Sequence, residues 1–316
     1  MLNHTFQNVT PVLSFDDPAS VIWWFVACFF LHVIGVVANV ALMVAVWNDR
    51  TSHKGSRFLV SSMAFANLLM ASFFMPSANI EVLVRHLRQS ASTNHAKFCT
   101  FFYAGYYTTQ TSAAWIEVAL AVNRLIAIVF PRHYDRFRSL KVSIEMVLAA
   151  VLIGVSVSFL TAGGIGASYS TQPNGYCMFQ NYNNLGAFLG MMVSFIPYGL
   201  AMLVALAIFV STCLRPRVSP LPLKVRHHRI MSRRMVVAQA MFASSVWCLL
   251  CTLPVFVVGA LMPELTTRET SLIRWLKVSY TAEFAIDPLV FFAISSTYRQ
   301  ALMTTIRRWI RNGRSL

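Results

Sequence analysis

Seven apolar blocks divide this chain, at Val21–Trp47, Phe58–Val84, Phe98–Phe130, Val142–Ala162, Leu185–Cys213, Met235–Met262 and Trp275–Ser295. Each supplies the ~20 mostly apolar residues that a helix needs to cross ~30 Å of hydrocarbon. A soluble core has no use for seven such runs. The sequence therefore predicts an all-α membrane protein, a seven-transmembrane helix bundle over residues 21–295. Residues 1–20 precede the bundle. After the seventh block, Tyr298, Leu302, Ile306 and Ile310 recur at helical spacing with Arg299, Arg307 and Arg308 between them. That pattern predicts a short amphipathic eighth helix on the inner leaflet, within a terminal segment 296–316.

Charge gives the topology. The chain is 57% hydrophobic and 12% charged, with a net charge of +15, a composition that excludes disorder. So basic a chain could read as a nucleic-acid binder, but the placement of the charge argues against it. The segments 48–57, 124–141, 214–234 and 296–316 hold 3, 5, 7 and 5 of the 26 Lys and Arg residues, and residues 1–20 hold none. Basic loops mark the cytoplasmic side, where they face anionic lipid and whatever docks there. The expectation is a multi-pass plasma-membrane protein with its N-terminus extracellular. Two glycosylation triplets, at Asn3 and Asn8, fall on that outer side. Of six cysteines, Cys28, Cys213, Cys248 and Cys251 lie in or at the edge of spans. Cys99 and Cys177 lie outside, and such a pair in an oxidising compartment reads as one disulfide, with two buried thiols as the alternative.

Polar residues interrupt the apolar blocks at Asn39, Asn67, Glu117, Asn123, Arg124, Glu283 and Asp287. An ionisable group in a span is costly unless it faces the bundle interior and finds a partner. Interhelical hydrogen bonding, at ~0.6 kcal/mol each, explains part of every case, but not the spacing. Asn39 stands in ANVALMV of the first block and Asn67 in MAFANLL of the second. Cys99 opens the third and Arg124 closes it in NRLIAIVFPRHY. Pro197, Pro254 and Pro288 fall in the fifth, sixth and seventh. In this order and register, from Asn39 to Leu302, the chain resembles the rhodopsin-like G-protein-coupled receptors.

The resemblance implies roles. Arg124, with Asn123 and Arg234 near it, would form the cytoplasmic mouth that meets a heterotrimeric G protein when the sixth span swings outward. Asn39, Asn67, Asp287 and Pro288 would form a polar cluster linking the ligand site to that mouth. The family usually has Asp in the second span and Asn in the seventh. Here they are exchanged, as in the gonadotropin-releasing-hormone receptors, and Asp287 with Asn67 is a possible sodium site. Other departures weaken the expected restraints on activation. Asn123 replaces the acid beside the arginine, and Arg234 replaces an acid at the foot of the sixth span. Thr252 replaces an aromatic switch, Ala205 and Phe291 replace tyrosines, and the fourth span lacks its usual tryptophan.

For the ligand, Tyr106 stands where aminergic receptors carry Asp, and Thr281 where opsins carry the retinal lysine. The outer half instead offers Tyr106, Tyr107, Gln110, Phe256, Lys277, Tyr280 and Thr281, an aromatic pocket with a few polar points. Helix packing explains any one of these equally well. Lys277 either snorkels to the interface or meets an anionic ligand or peptide carboxylate. The short termini and the departures resemble invertebrate, nematode-type chemosensory serpentine receptors. The expectation is thus a receptor transducing an extracellular small molecule or peptide into G-protein activation, with a divergent neuropeptide receptor as the alternative. No catalytic motif occurs, so neither an enzyme nor a cofactor is expected. The rival class is a seven-helix transporter or ligand-gated channel, for which Glu117 and Glu283 would be the carboxylate pair. It would want paired repeats or broken Gly-rich helices, which the sequence lacks.

Overall fold

A computed structural model describes residues 18–49, 52–88, 95–130, 132–171, 177–214, 224–261 and 270–313. Asn3 and Asn8 lie outside the described residues, as does the side chain of Arg234. Nearly all of the described chain is helical. The order is α1 (Pro18–Asn48), α2 (Lys54–Leu69), a π-helical turn (Met70–Phe74), α3 (Met75–Arg88), α4 (His95–Val129), α5 (Tyr134–Phe137) and α6 (Leu140–Ala162). Strands β1 (Ala167–Thr171) and β2 (Cys177–Asn181) follow, then α7 (Asn184–Val193), α8 (Phe195–Leu214), α9 (Lys224–Leu261), α10 (Thr270–Ile294) and α11 (Ser296–Gly313).

Five stretches are each long and apolar enough to cross a membrane: 18–48, 54–87, 98–129, 140–162 and 242–259. The pair α7 and α8 makes a sixth, bent by 44°. The helix α10 makes the seventh. Its 25 residues rise ~37 Å, enough to span. Arg274, Lys277, Glu283 and Asp287 interrupt its apolar run. At Ser295 the chain turns by 98° into α11. Arg299, Arg307, Arg308 and Arg311 share α11 with the exposed Trp309, Ile310 and Met303, the amphipathic composition of a surface helix.

Local chemistry explains the breaks. A proline ring clashes with the carbonyl four residues back and removes one amide donor. Pro197 therefore coincides with the break at Ser194, and Pro76 with the π-helical turn just before it. Pro254 and Pro288 lie inside α9 and α10 without ending them. Ser139 caps α6 by accepting from Val142 N at 3.3 Å, and Asn183 caps α7 by accepting from Gly186 N at 3.0 Å. Such caps contribute ~1 kcal/mol each. Gly166 takes the chain from α6 into the hairpin at φ +79°, a left-handed conformation that glycine adopts without strain.

Two buried clusters fill the bundle. One, toward the α11 end, joins Leu42, Leu59, Met63, Leu120, Phe291 and Tyr298. The other, beneath the hairpin, joins Met70, Tyr103, Tyr106, Tyr107, Tyr280 and Phe284. The antiparallel hairpin pairs Tyr169 with Phe179 and Thr171 with Cys177. A disulfide joins Cys177 to Cys99 of α4 across a separation of 78 residues, with Cα atoms 5.7 Å apart. Closing so long a loop restricts the unfolded chain by ~4 kcal/mol in the chain-entropy description. Cys99→Ala and Cys177→Ala are each expected to lower thermal stability and surface expression, and the double variant to be no worse than either single. Thermal unfolding and cell-surface labelling of the three variants measure this. Additive losses would count against one shared bond.

Candidate functional site

The bundle interior divides into three zones along α4 and α10. The zone under the hairpin is aromatic. Residues three and four apart on a helix share a face, and Tyr103, Tyr106 and Tyr107 project together from α4. Tyr103 stacks on Tyr106 with ring centroids 5.3 Å apart. Tyr107 stacks on Tyr169 of the hairpin at 5.3 Å, the planes 11° apart, and meets the edge of Phe179. From α10, Tyr280 packs edge-on against Phe256 at 6.4 Å and Phe284 at 5.4 Å. Gln110 is 1% exposed, and its Nε2 has no hydrogen-bond partner among the described residues. Outside the spans, burial pushes the Tyr169 phenol up to about 12.

The seven pocket candidates therefore fall into two groups. Tyr106, Tyr107, Gln110, Phe256 and Tyr280 converge beneath the hairpin. Lys277 and Thr281 of α10 lie beside Cys28 of α1. Lys277 Nζ stands 5.7 Å from the Tyr280 ring centroid, within cation–π reach. Thr281 spends its hydroxyl proton on the Lys277 carbonyl at 2.8 Å.

The middle zone is polar. Asn67 Nδ2 donates to Asp287 Oδ2 at 3.4 Å, so the exchanged pair touches. Ser244 of α9 donates to the other Asp287 oxygen. Tyr198 of α8 donates to Glu283 Oε1 at 2.6 Å, and Thr252 of α9 donates to Glu283 Oε2. Ser245 donates to Glu117 Oε1 at 3.2 Å. Asn67, Glu117, Tyr198, Cys248, Glu283 and Asp287 line a small cavity here. Asn39 stands apart from this cavity. It donates to the Gly35 and Phe284 carbonyls, each at 2.9 Å, and so ties α1 to the backbone of α10 beside Asp287. Among the described residues no group of three His, Cys, Asp or Glu side chains is arranged to hold a metal ion.

The α9 partners went unremarked in the sequence, although a signal was there. Ser244, Cys248 and Thr252 recur every four residues on one face of α9, opposite Glu283 and Asp287, themselves four apart on α10. Thr252 reads as a lost aromatic until its hydroxyl is seen on Glu283.

The third zone lies at the α11 end. Asn123, fully buried, donates to the Phe137 carbonyl at 3.0 Å and so ties α4 to the short helix α5. Arg124 Nη2 donates to Ser56 Oγ at the start of α2. Asp135 does not reach Arg124. It pairs with Arg138 at 3.2 Å on an exposed turn.

Comparison with known proteins agrees with this geometry. A family model described as "7 transmembrane receptor (rhodopsin family)" matches residues 38–291. Olfactory receptor 5AR1 of Homo sapiens is 26% identical over 140 residues, 44% of this chain and 44% of its own length. Olfactory receptor 5AC2 of Homo sapiens is 27% identical over 139 residues, 44% of this chain and 43% of its own. Dopamine receptor 4 of Caenorhabditis elegans is 23% identical over 201 residues, 60% of this chain and 37% of its own. The matches thus span less than half the length of these curated relatives.

The polar zone generates a direct test. Asn67→Asp places a second carboxylate 3.4 Å from Asp287, with no cation to compensate among the cavity-lining residues. The variant is expected to lose about 3 kcal/mol of stability. Adding Asp287→Asn restores one carboxylate and one amide and is expected to recover most of that loss. A double-mutant cycle on thermal stability measures the coupling, and strict additivity would show that the pair does not interact.

Proposed function

The chain belongs to the rhodopsin family of seven-transmembrane receptors, and from that premise we propose that it is a chemosensory receptor of the plasma membrane. In this reading its N-terminus is extracellular. A small molecule binds beneath the hairpin, and a heterotrimeric G protein docks at the Arg124 end. The observation that carries the reading is the set of hydroxyl-to-carboxylate bonds between α9 and α10. They place the middle of α9 on the two acids that lie between the aromatic zone and the Arg124 zone. A ligand that shifts Tyr280 or Phe284 by a fraction of an ångström moves Glu283, which sits between them in sequence, and loosens its hold on Thr252. The inner part of α9 is then free to pivot about Pro254. Two discrete packings of one helix are what a signalling bundle requires.

The named relatives support the ligand class. Two are named olfactory receptors, in keeping with a small apolar ligand for an aromatic zone with few polar groups. The third is named a dopamine receptor. Tyr106, however, stands where aminergic receptors carry the acid that pairs with the ligand ammonium. Lys277 sets a positive charge beside this zone, which disfavours a cationic ligand and favours a carbonyl or carboxylate.

A G-protein reporter screen against a panel of small odorants and organic acids tests this. At least one compound is expected to raise the signal, Arg124→Ala to abolish the response at unchanged surface expression, and Lys277→Met to weaken responses to acids about tenfold or more. Glycosidase sensitivity of Asn3 and Asn8 tests the orientation. Protected, unglycosylated sites together with no response in any G-protein class would remove the reading.

A further inference from the structure

The innermost stripe of α4 runs Tyr103, Tyr106, Gln110, Ala113 and Glu117, at alternating steps of three and four. All five are buried. Tyr103 and Tyr106 belong to the aromatic cluster beneath the hairpin. Ala113 and Glu117 line the polar cavity that Glu283 and Asp287 share. Gln110 thus places an amide between a wall of rings and a set of acids.

That amide is unmet. Gln110 is 1% exposed, and its Nε2 has no hydrogen-bond partner among the described residues. The next residue has the same want. Thr111 is fully buried, and its Oγ1 meets no partner among the described residues. In a span a threonine hydroxyl ordinarily returns to the carbonyl four residues back, as Thr109 does to Gly105 at 3.0 Å. Thr111 does not. In a membrane bundle an unmet donor has no solvent to fall back on, and it destabilises the fold until a partner arrives. Two adjacent donors left open at one depth, under Tyr106 and Tyr107, call for a partner from outside the chain.

The donors set the partner's chemistry. An amide N–H and a hydroxyl both offer protons, so their complement is an acceptor oxygen. The body that carries it must pack among Tyr106, Tyr107, Phe256 and Tyr280, which favours an aromatic one. The oxygen must also be neutral. In the cavity just below, Glu117 accepts from Ser245, and Glu283 from Tyr198 and Thr252. The described residues lining that cavity include no Lys, Arg or His, so nothing there would compensate a further anion.

We infer that Gln110 determines the specificity of the proposed ligand site, and that the site takes neutral aromatic carbonyl compounds, ketones and esters, whose oxygen accepts from Gln110 Nε2 with Thr111 as a second donor at that depth. The inference rests on the aromatic zone being the ligand site. It separates two kinds of ligand: a carboxylate is drawn to Lys277, a neutral carbonyl to Gln110.

The first test needs no ligand. Thermal unfolding of the full chain in nanodiscs compares Gln110→Met and Thr111→Val with the unaltered chain. Each is expected to hold or raise the melting temperature, because it deletes an unmet donor at nearly constant size. A fall of several degrees in either shows a donor already satisfied within the fold and overturns the inference.

The second test compares acetophenone and methyl benzoate with ethylbenzene, which has no acceptor oxygen, and with benzoic acid. Ligand-induced rise in melting temperature and the G-protein reporter are both read. At least one carbonyl compound is expected to stabilise the unaltered chain, with ethylbenzene about tenfold weaker in midpoint concentration. Gln110→Met is expected to bring the two within about threefold of each other, while Lys277→Met leaves the preference in place. Three results overturn the inference: ethylbenzene as potent as its carbonyl counterparts, a preference that survives Gln110→Met, or no stabilisation by either carbonyl compound. A reporter signal raised by benzoic acid alone keeps the receptor reading and overturns the carbonyl one. Stabilisation that Gln110→Met abolishes, with the reporter silent, supports the inference and removes the G-protein reading instead.

Discussion

Asp287 and Glu283 stay inside an apolar bundle because three other helices bring donors to them. A bilayer offers no water to satisfy a buried carboxylate, so each acid must be met from within the protein. Asn67 reaches from α2, Ser244 and Thr252 from α9, and Tyr198 from α8. Removing any of these leaves an oxygen without its donor, at a cost of ~1–3 kcal/mol. The acids therefore fix the rotation of the helices around them more narrowly than Leu and Phe packing does, since an apolar contact tolerates a shift that a hydrogen bond does not. The same dependence makes the arrangement switchable, because these bonds run mainly between α10 and one helix, α9, that carries a proline.

The aromatic zone has a different physics. Tyr107 on α4, with Tyr103 and Tyr106 packed against it, meets Tyr169 and Phe179 of the hairpin, and the disulfide ties the hairpin to α4. Ring-on-ring contacts contribute ~0.5–1.5 kcal/mol beyond area burial, so a flat ligand can replace one ring with another at small net change. Gln110, buried just below with its amide unsatisfied, gives such a ligand one polar point to find.

Much of this was legible in the sequence, and what was not has a physical reason. The seven apolar blocks give the bundle because hydrocarbon thickness sets one length for all of them. The closeness of Asn67 and Asp287 was legible because exchanging an acid and an amide preserves a contact. The disulfide was legible because only two cysteines lie off the spans. The pairing of Thr252 with Glu283 was not, since a hydroxyl in a span mostly bonds its own backbone, as Thr109, Thr161 and Thr281 do here. Nor was the approach of Lys277 and Thr281 to Cys28 of α1. Position along α10 gives depth, but the face it presents depends on how the helix is rotated against α1. Asn39 shows the same limit. Its expected place in the polar cluster is taken by two backbone carbonyls, which no side-chain pattern announces.

Arg124 brings these strands together. Judged by its neighbour at 123, it should be loosely held: no acid stands within a turn of it along α4, and Glu117, two turns deeper, is engaged by Ser245. A guanidinium needs both a countercharge and planar donors filled, and these requirements need not be met by the same residue or the same helix. Here the hydroxyl comes from Ser56 of α2. α11 leaves α10 at 98°, and Tyr298 of α11 is buried against Phe291 of α10. The sharp turn at Ser295 thus does more than start a surface helix: it returns an aromatic ring to the buried cluster at that end of the bundle. Any motion of α10 that tilts α11 must also move that ring against Phe291 and the rest of the cluster, on the same helix that carries Glu283 and Asp287.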